Sequence, residues 1–557
     1  MKQLDKILPI IFFAALSFAI ILPLVSPGYI LTLDMVTTPK IPVPWPRLDA
    51  PSFLFGGILF LLNSFIEASM IQKILLFLIF FLSGWGMYRL VPVKNILARY
   101  FAGLLYMINP FVYERLMDGQ LGLLLGFGLF PFVVSAILNF FKNPSLESVA
   151  GLSILSTFLF AFAGHYILIY SAFFIIFGTI FVLLNQDKIT NIGKYLLIFL
   201  GLLFILNANW IAPVLKGEGE LAYAISSFDS RDLIAFQSVG DRQFGLIFNI
   251  LSLFGYWGEN EGRFILSKEV NSLWPAISVI FISLSLVGVY VAIKKRKSLP
   301  LSLTLIILSL LSLDFACGIA LNNSSTSTFF WLYEKIPILR GLREPQKLVA
   351  VIVLTYAIFS ALAIEEILVR FKKMAYLGIS LLFLPFLYTP TMLFGFFGQL
   401  RPVSYPKSWF TVDQILKEDR KDFKTLFFPW HLYMKFNFAN NRIIVNPASS
   451  FFEKPVLTAQ NYEMKALYSH DERPEALHVE GLLKIEKEGT NFFGEAVPRP
   501  VNFGQALSPI DVKYIILGKD EDWGAYRFLD ESPDLGRIFE SKELILYRNL
   551  SWEETPL

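Results

Sequence analysis

The sequence predicts a mostly α-helical, polytopic membrane protein with a C-terminal extracytoplasmic α/β soluble domain. Hydrophobic residues make up 55% of the 557 residues, and charged residues make up only 17%. The mean hydropathy is +0.56. A soluble domain cannot bury that much apolar surface. Many apolar runs are long enough to cross a bilayer, and they stop near Arg401, where the charge density rises.

Composition also excludes several classes of site. The net charge of +3 gives no basis for nucleic acid as a partner. The single cysteine, Cys317, lies in an apolar run, so an internal disulfide is excluded. The four histidines show none of the known metal-binding spacings. A divalent metal therefore has no motif to support it, and the sequence identifies no cofactor.

The apolar runs predict about eleven spans. A tight hairpin is expected at Gly164 and His165. Residues 52–66 are too short and are expected to lie in the interface or to re-enter. We interpret the N-terminal run, which follows Lys2 and Lys6, as an uncleaved signal anchor. The predicted spans are 7–26, 71–91, 97–113, 121–141, 148–164, 166–184, 194–214, 274–293, 299–317, 347–366 and 376–394.

Basic residues in the short loops predict the orientation. With a cytoplasmic N-terminus, the inner loops hold fifteen Lys and Arg, including the cluster at 294–297, and the outer loops hold seven. This difference follows the positive-inside rule. The cell membrane is thus the expected location, with residues 27–51, 215–273, 318–346 and the whole C-terminus outside.

The composition change divides the chain into a transmembrane domain, residues 1–394, and an extracytoplasmic domain, residues 395–557. Short strand-like stretches occur in the second domain at 425–428, 442–445, 512–517 and 544–547, with a helical patch at 409–417. A domain of this length can bury its own core.

The first outer loop carries two carboxylates, Asp34 and Asp49. Five prolines between Pro39 and Pro51 prevent a continuous helix here, because each lacks an N–H group. One interpretation is an ordinary solvated connector, and the other is proton chemistry beside the lipid. The apolar neighbours of Asp34 are expected to limit its solvation, whereas Arg47 is expected to pair with Asp49.

A second polar segment, residues 109–120, interrupts two apolar runs. Proline 110 is expected to end the preceding helix. Glu114, Arg115 and Asp118 then lie near the membrane boundary, where a charge is costly unless it is paired or hydrated. Either Glu114 and Arg115 pair to lock the turn, or these residues bind substrate. His165 is likewise either a structural histidine or a ligand and proton carrier.

The loop before the tenth predicted span contains three cations, Arg340, Arg343 and Lys347. Their spacings of three and four place them on one face if the segment is helical. Arginine offers a planar fork to phosphate oxygens, and a helix N-terminus favours an anion. These residues are expected either to anchor headgroups or to bind a lipid-linked phosphate.

Together these segments resemble the GT-C class of membrane glycosyltransferases. The acidic first outer loop, NPFVYERLMDGQ, LSLFGYWG and LRGLREPQK carry the resemblance, which covers about residues 1–400. Within the class, the chain is most similar to arabinofuranosyltransferases with large extracytoplasmic C-terminal domains. The resemblance implies a polyprenyl-phosphate-linked sugar as donor and Asp34 as catalytic base, with Asp49 as the alternative.

The implied function is transfer of a sugar to an extracytoplasmic glycan, lipid or protein acceptor. Arg340, Arg343 and Lys347 would stabilise the phosphate leaving group. If neither aspartate of the first loop is the base, Glu114, Asp118 and His165 are the next candidates. Two alternatives remain open, a non-catalytic scaffold for cell-surface assembly and a flippase, although a flippase is expected to show charges through its helix centres.

Overall fold

A computed structural model describes residues 4–320, 328–371, 375–461, 463–464, 467–468, 471, 473–483 and 500–553. The chain forms two compact units. The first comprises Met1–Val25, Val43–Ile66 and Lys73–Arg401, and the second comprises Ser26–Pro42, Glu67–Gln72 and Pro402–Leu557. The second unit therefore contains two short segments from the N-terminal part of the sequence.

The first unit is helical, and α3 extends into it from residues 68–72 of the second unit. Short 3-10 helices link several of its helices, at Leu22–Leu24, Trp45–Arg47, Gln186–Lys188, Trp257–Asn260, Pro337–Leu342, Pro345–Leu348 and Pro390–Met392. The α-helices are α1 (Leu4–Ile21), α2 (Phe53–Asn63), α3 (Ala68–Leu90), α4 (Ile96–Met107), α5 (Pro110–Met117), α6 (Leu121–Lys142), α7 (Leu146–Phe162), α8 (His165–Leu184), α9 (Ile189–Leu206), α10 (Ala208–Leu215), α11 (Gly219–Ser227), α12 (Ser230–Ala235), α13 (Gly245–Leu251), α14 (Ser267–Val270), α15 (Trp274–Lys294), α16 (Leu299–Cys317), α17 (Thr328–Lys335), α18 (Val349–Arg370), α19 (Ala375–Leu381), α20 (Leu384–Tyr388) and α21 (Leu393–Phe397).

Nine helices among the described residues are long and apolar enough to cross a membrane. A tenth span results if the pair Gly378–Tyr388 and Pro390–Phe397, which is bent by 72°, counts as one. This pair replaces the straight helix predicted at 376–394. The run predicted at 148–164 forms α7, which has only 17 residues and is shorter than the nine. The multi-pass membrane fold is thus confirmed. Among the described residues, nine or ten of the eleven predicted spans have the length and hydropathy of a membrane helix, and α7 is the one that falls short.

The predicted interruption at Asn109 is confirmed. Helix α4 ends at Met107, and α5 begins at Pro110, whose missing N–H group is not needed at a first helical position. The Asn109 side chain satisfies backbone groups on both sides of the break. Its amide nitrogen donates to the Leu105 carbonyl at 3.0 Å, and its oxygen accepts from the Val112 N–H at 3.1 Å.

The predicted hairpin at His165 is also confirmed, because α7 ends at Phe162 and α8 begins at His165. Residues 52–66 form the 11-residue helix α2, in agreement with the prediction that they do not span. Three of the fifteen inner basic residues, Lys2, Lys372 and Lys373, lie outside the described residues.

Helix α18 forms the core of the first unit. Of the apolar window within Pro345–Arg370, 94% is buried inside the protein. Helix α15 approaches so closely that a Cβ atom at Gly288 would lie 1.8 Å from the Phe359 carbonyl oxygen. Only glycine permits this approach. The buried 3-10 helix Pro345–Leu348 leads directly into α18, which fixes the position of the adjoining polar residues.

The second unit has an α/β architecture. Its 3-10 helices are Asn437–Ala439, Ser508–Ile510 and Trp523–Tyr526. Its α-helices are α22 (Lys407–Glu418), α23 (Ala448–Phe451), α24 (Pro474–Leu483), α25 (Phe503–Ala506) and α26 (Phe528–Glu531). Its strands are β1 (Lys424–Phe428), β2 (Tyr433–Phe436), β3 (Arg442–Val445), β4 (Val456–Leu457), β5 (Glu463–Met464), β6 (Leu467–Tyr468), β7 (Val512–Gly518), β8 (Leu535–Glu540) and β9 (Leu544–Asn549).

The main sheet has the strand order β4-β1-β7-β9-β8. Strand β1 is parallel to β4 and β7, whereas β9 is antiparallel to β7 and β8. Strand β7 is buried along its whole length, as its nearly continuous apolar sequence requires. Two consecutive residues of β1 point to opposite faces of the sheet. Phe427 packs in the apolar core around Trp409, and Phe428 packs in the core around Tyr526. All four predicted strands and the predicted helix at 409–417 are confirmed.

Residues 27–42 of the first outer loop are part of the second unit, whereas residues 43–51 belong to the first unit. Tyr29 exchanges two backbone hydrogen bonds with Val403, at 2.8 and 2.9 Å. The Leu33 N–H donates to Ile443 at 3.2 Å, and the Val445 N–H donates to Leu33 at 2.9 Å. As the five prolines predicted, the loop contains no continuous helix, and its helical residues are limited to the 3-10 helix Trp45–Arg47. The loop instead pairs with β3 in the same way as an added strand.

Candidate functional site

The first unit contains a cavity of about 360 Å³. Most of its lining is apolar and comes from residues 160–168 at the turn between α7 and α8, and from α10, α11 and residues 338–341. Residues 50–52 of the loop before α2 complete the wall. The polar lining includes His165, Glu220, Arg343 and Lys347. An apolar cavity with a few convergent polar groups is the usual form of a small-molecule site.

Three of the predicted site residues meet in this cavity. The Lys347 ammonium lies 2.9 Å from Nε2 of His165. Arg343 lines the same cavity, and its guanidinium lies 4.4 Å from the ring centre of Phe228 and 4.8 Å from that of Phe236. These contacts hold the guanidinium through cation–π attraction. Asp232 on α12 lies 3.6 Å from Nη1 of Arg343.

Arg340, Arg343 and Lys347 were expected on one face of a single helix, but the segment that carries them is not one helix. Arg343 stands between two 3-10 helices, Pro337–Leu342 and Pro345–Leu348, and the α-helix begins only at Val349. Two prolines break the segment, since each starts a new turn. As a result Arg343 and Lys347 reach the cavity, whereas Arg340 is not among its lining residues. The role predicted for Arg340 in phosphate binding stays a prediction.

Glu344 connects this cavity to the segment 109–120, and the sequence analysis missed it. Its carboxylate lies 2.8 Å from the Lys347 ammonium and 2.9 Å from Nη1 of Arg115. It also accepts hydrogen bonds from Gln120 and Trp257, both at 3.3 Å. Burial opposes ionisation of this group, but the charges of Lys347 and Arg115 outweigh it and hold the pKa of Glu344 well below its usual range.

One interpretation of the sequence was that Arg115 pairs with Glu114. The structure contradicts it, because Arg115 pairs with Glu344. Its guanidinium is buried, 1% exposed, and lies 4.2 Å from the ring centre of Tyr256. Among the described residues, Nη2 of Arg115 and Oε1 of Glu114 have no hydrogen-bond partner. The locked turn arises from Asn109 instead. Arg115 instead donates a hydrogen bond to the buried carboxylate of Glu344, which lies 229 positions away in sequence.

Asp118 belongs to a neighbouring polar cluster. Its carboxylate lies 2.5 Å from Nη2 of Arg263 and accepts a hydrogen bond from Tyr256. Burial raises the pKa of Asp118, although the Arg263 charge and the Tyr256 hydrogen bond act in the opposite direction. Arg263 also lies 4.6 Å from the ring centre of Trp257, which links this cluster to Glu344. Asp118 is not among the residues that line the cavity.

Asp49 lies beside the cavity rather than in its lining. Its Oδ2 accepts a hydrogen bond from the backbone N–H of Glu220 at 3.1 Å. Arg47 contacts the Glu220 carboxylate at 3.7 Å, so the expected pairing of Arg47 with Asp49 is replaced by one with Glu220. Asn209 on α10 donates to the carbonyls of Leu48 and Ala50, at 2.9 and 3.3 Å.

Asp34 belongs to the second unit. Its Oδ1 accepts a hydrogen bond from the Tyr433 hydroxyl at 2.7 Å. The neighbours Leu31, Leu33 and Met35 are buried, but Asp34 itself is exposed. The expectation that these neighbours limit its solvation is therefore wrong, because they point into the core while the carboxylate points to solvent.

Within the part of the chain that the structure describes, no group of three or more His, Cys, Asp or Glu side chains is arranged to hold a metal ion. The chemistry of the cavity is instead that of an anion site. Of the charged side chains in its lining, Arg343 and Lys347 are basic and Glu220 is acidic. The surplus of positive charge at the start of a buried helix favours an anionic ligand with an apolar tail.

No protein-family model and no curated protein sequence matches the chain. Solved structures do match it. Arabinofuranosyltransferase AftD from Mycobacteria aligns with a TM-score of 0.63 at 13% identity and covers 97% of this chain. This chain has a GT-C-type fold. A mutant form of AftD aligns with a TM-score of 0.61, also at 13% identity and over 97% of this chain.

The GT-C-type fold implied by the sequence resemblance is thus confirmed. The chain spans 40% of the first AftD structure and 41% of the second. The apo oligosaccharyltransferase of Archaeoglobus fulgidus aligns with a TM-score of 0.47 at 11% identity, over 99% of this chain and 75% of that chain. The likeness to AftD concerns the fold, and the activity of this chain is argued below from its own residues.

Proposed function

We propose that this protein is a membrane glycosyltransferase that moves a sugar from a polyprenyl-phosphate donor to an extracytoplasmic glycan, lipid or protein acceptor. The observation that carries the proposal is the cavity of the first unit, in which Arg343, Lys347 and His165 share one lining with a mainly apolar wall. A lipid-linked sugar phosphate has the same combination of parts. The GT-C-type fold of the chain supports the same class of reaction.

The apolar wall would hold the first isoprene units of the donor. Leu168, Val214 and Leu221 come from three different helices and line the cavity together. Removing such side chains and a prenyl chain from water is favourable by about 25 cal/mol per Å² of apolar surface. This contribution does not depend on the sugar, so it provides affinity for the lipid while other groups select the sugar.

The cationic side of the cavity would bind the phosphate. During transfer, the bond between the anomeric carbon and the phosphate oxygen breaks, and the phosphate leaves with the electron pair. Arg343 and Lys347 would stabilise the negative charge that develops on that oxygen. Glu344 keeps the Lys347 ammonium in place, and Arg115 in turn holds Glu344. Arg115 and Glu344 are thus positioning residues in this proposal.

The acceptor hydroxyl attacks the anomeric carbon, and its proton must pass to a base. We propose Asp34 for this role, as the resemblance in sequence implies, with Asp49 as the alternative. If neither aspartate is the base, the next candidates for the role are Glu114, Asp118 and His165.

We further propose that the N-terminus is cytoplasmic and that the second unit lies outside the cell membrane. The excess of basic residues in the inner loops supports this orientation, in which α7 and the bent pair at 378–397 each cross the membrane. A reporter fused after Phe397 is expected to be active only on the extracytoplasmic side. Activity in the cytoplasm would contradict the orientation, because every loop assigned to the outside would then lie inside.

Arg343→Ala is expected to weaken binding of undecaprenyl phosphate by roughly tenfold to a hundredfold, the usual range for a lost charge-assisted contact. Arg343→Lys should recover only part of the affinity, since the ammonium keeps the charge but loses the planar fork. The affinity can be measured in detergent micelles at constant ionic strength.

Lys335→Ala is the matched control, because Lys335 is an exposed cation at the end of α17 and does not line the cavity. It should leave the affinity nearly unchanged. Equal affinities of the parent protein and the Arg343→Ala variant for undecaprenyl phosphate would show that the cavity is not the phosphate site.

A further inference from the structure

The same cavity contains a carboxylate that the proposed reaction does not use. Glu220 is the single acidic residue among the described residues of its lining. We propose that Glu220 binds hydroxyl groups of the donor sugar and so contributes to the choice of sugar. This inference rests on the proposed function, because it assumes that the phosphate of the donor occupies the cationic side of the cavity.

The backbone at Glu220 is attached to the loop that carries Asp49, and that loop is attached to α10. The Glu220 backbone N–H donates to Asp49 at 3.1 Å at the start of α11. The loop that carries Asp49 is tied to α10, since the side chain of Asn209 donates to two of its carbonyls. These contacts fix the start of α11, the element from which the Glu220 side chain reaches the cavity.

The charge of Glu220 suits a neutral sugar and not a phosphate. A carboxylate repels a phosphate group but accepts hydrogen bonds from hydroxyl groups, and two oxygens accept from two neighbouring hydroxyls. Arg343 and Lys347 precede α18, whereas Glu220 lies at the start of α11, so the cations and the carboxylate reach the cavity from different elements. A sugar phosphate would then have one favourable orientation. The separation of charges would therefore align the donor as well as bind it.

An aromatic face lies in the same wall. Trp210 lines the cavity, and its indole N–H is occupied by a hydrogen bond to Asn207 at 3.1 Å. Asn207 is in turn held by Thr157 on α7 at 2.8 Å. The hydrogen bond fixes the orientation of the indole ring. The ring therefore offers an apolar surface for the C–H groups of a sugar, while the Glu220 carboxylate accepts hydrogen bonds from the hydroxyl groups of that sugar.

The other known contact of Glu220 does not account for its presence in the cavity. Its partner Arg47 lies 3.7 Å away, and the side chains are 69% and 46% exposed, for Arg47 and Glu220 respectively. Exposed pairs with such a distance contribute little to stability. A half-exposed carboxylate at the cavity can give up this contact to a ligand at small cost.

The inference is tested with four probes: undecaprenyl phosphate without sugar, and undecaprenyl phosphate carrying arabinofuranose, mannose or glucose. The parent protein is expected to bind one of the sugar-loaded lipids more tightly than the bare lipid. Glu220→Ala should reduce that preference by roughly tenfold or more, while the affinity for the bare lipid stays the same or rises slightly. Glu220→Gln keeps one acceptor oxygen and should lose less.

Glu218→Gln is the matched control, since Glu218 lies two positions earlier at the same helix start, is exposed and does not line the cavity. It should keep the full preference. A sugar preference that survives in Glu220→Ala, or a parent protein that binds all four lipids equally, would overturn the inference. So would a Glu220→Gln variant that binds the sugar-loaded lipid normally but transfers at least about a hundredfold more slowly, because that result would make Glu220 a base.

Failure of the proposed function would give a different result. If the cavity does not bind lipid phosphate, the Arg343→Ala variant keeps its affinity for the bare lipid, whatever Glu220 does. If the cavity binds lipid phosphate but Glu220 has no role, Arg343→Ala loses affinity for the bare lipid and Glu220→Ala keeps the sugar preference.

Discussion

Asp34→Asn is expected to reduce sugar transfer from a polyprenyl-phosphate donor by at least about a hundredfold, the usual contribution of a general base. The amide has nearly the same shape but cannot take a proton at neutral pH. Its oxygen can still accept the hydrogen bond that the Tyr433 hydroxyl donates to Asp34 at 2.7 Å, so the loop should keep its position. Transfer is measured with radiolabelled donor, and donor binding is measured in parallel to show that it is unchanged.

Tyr433→Phe is the control for this experiment. It removes the hydrogen bond but leaves the Asp34 carboxylate, so it should reduce transfer far less than Asp34→Asn does. Normal transfer in Asp34→Asn with a loss in Asp49→Asn would move the base to Asp49. Normal transfer in both would move it to Glu114, Asp118 or His165. If the parent protein transfers no sugar from any lipid donor, a non-catalytic scaffold becomes the better account.

Glu344→Gln is expected to destabilise the protein by about 3–5 kcal/mol, the usual cost when one partner of a buried ion pair is removed. The Arg115 and Lys347 side chains, which are 1% and 6% exposed, would then face each other without the carboxylate between them. Repulsion between two buried cations adds to the cost of their burial. Thermal unfolding in a fixed detergent measures the change.

Removing one of the two cations should restore part of this loss. The double variant Glu344→Gln, Lys347→Met keeps the same net charge in the cluster as the parent protein and should be more stable than Glu344→Gln alone. Glu334→Gln removes an exposed carboxylate from α17 and should change stability by less than about 0.5 kcal/mol. If Glu344→Gln is no less stable than Glu334→Gln, the cluster does not hold Lys347 in the way described.

Local features of the sequence predicted much of the fold. The length of each apolar run predicted most membrane helices, and Asn109 with Pro110 predicted the break between α4 and α5, because capping and proline effects act over a few residues. Strand β7 was predicted from a nearly continuous run of apolar residues, which is the pattern of a strand buried on both faces. The bend of 72° within the helix predicted at 376–394 was not predicted, although Pro390 is the same kind of local signal as Pro110, because the apolar run continues on both sides of it.

The candidate site was predicted only in part. Arg343 and Lys347 were found because cations are unusual next to a membrane helix on the outer side. Glu344 was missed although it stands between them, since its partner Arg115 lies 229 positions away and local spacing contains no information about that pairing. Glu220 was missed because a lone glutamate in a long polar loop resembles any solvated residue. Only the fold brings it to the cavity.

The central claim is that the cavity lined by His165, Arg343 and Lys347 binds the phosphate of a lipid. The most direct measurement is an experimentally determined structure of the full chain with undecaprenyl phosphate. We predict density for the phosphate group within about 4 Å of both the Arg343 guanidinium and the Lys347 ammonium, the distance of an ion pair. The prenyl chain should follow the apolar wall. A phosphate group bound elsewhere, with this cavity empty or filled by the prenyl chain alone, would contradict the account.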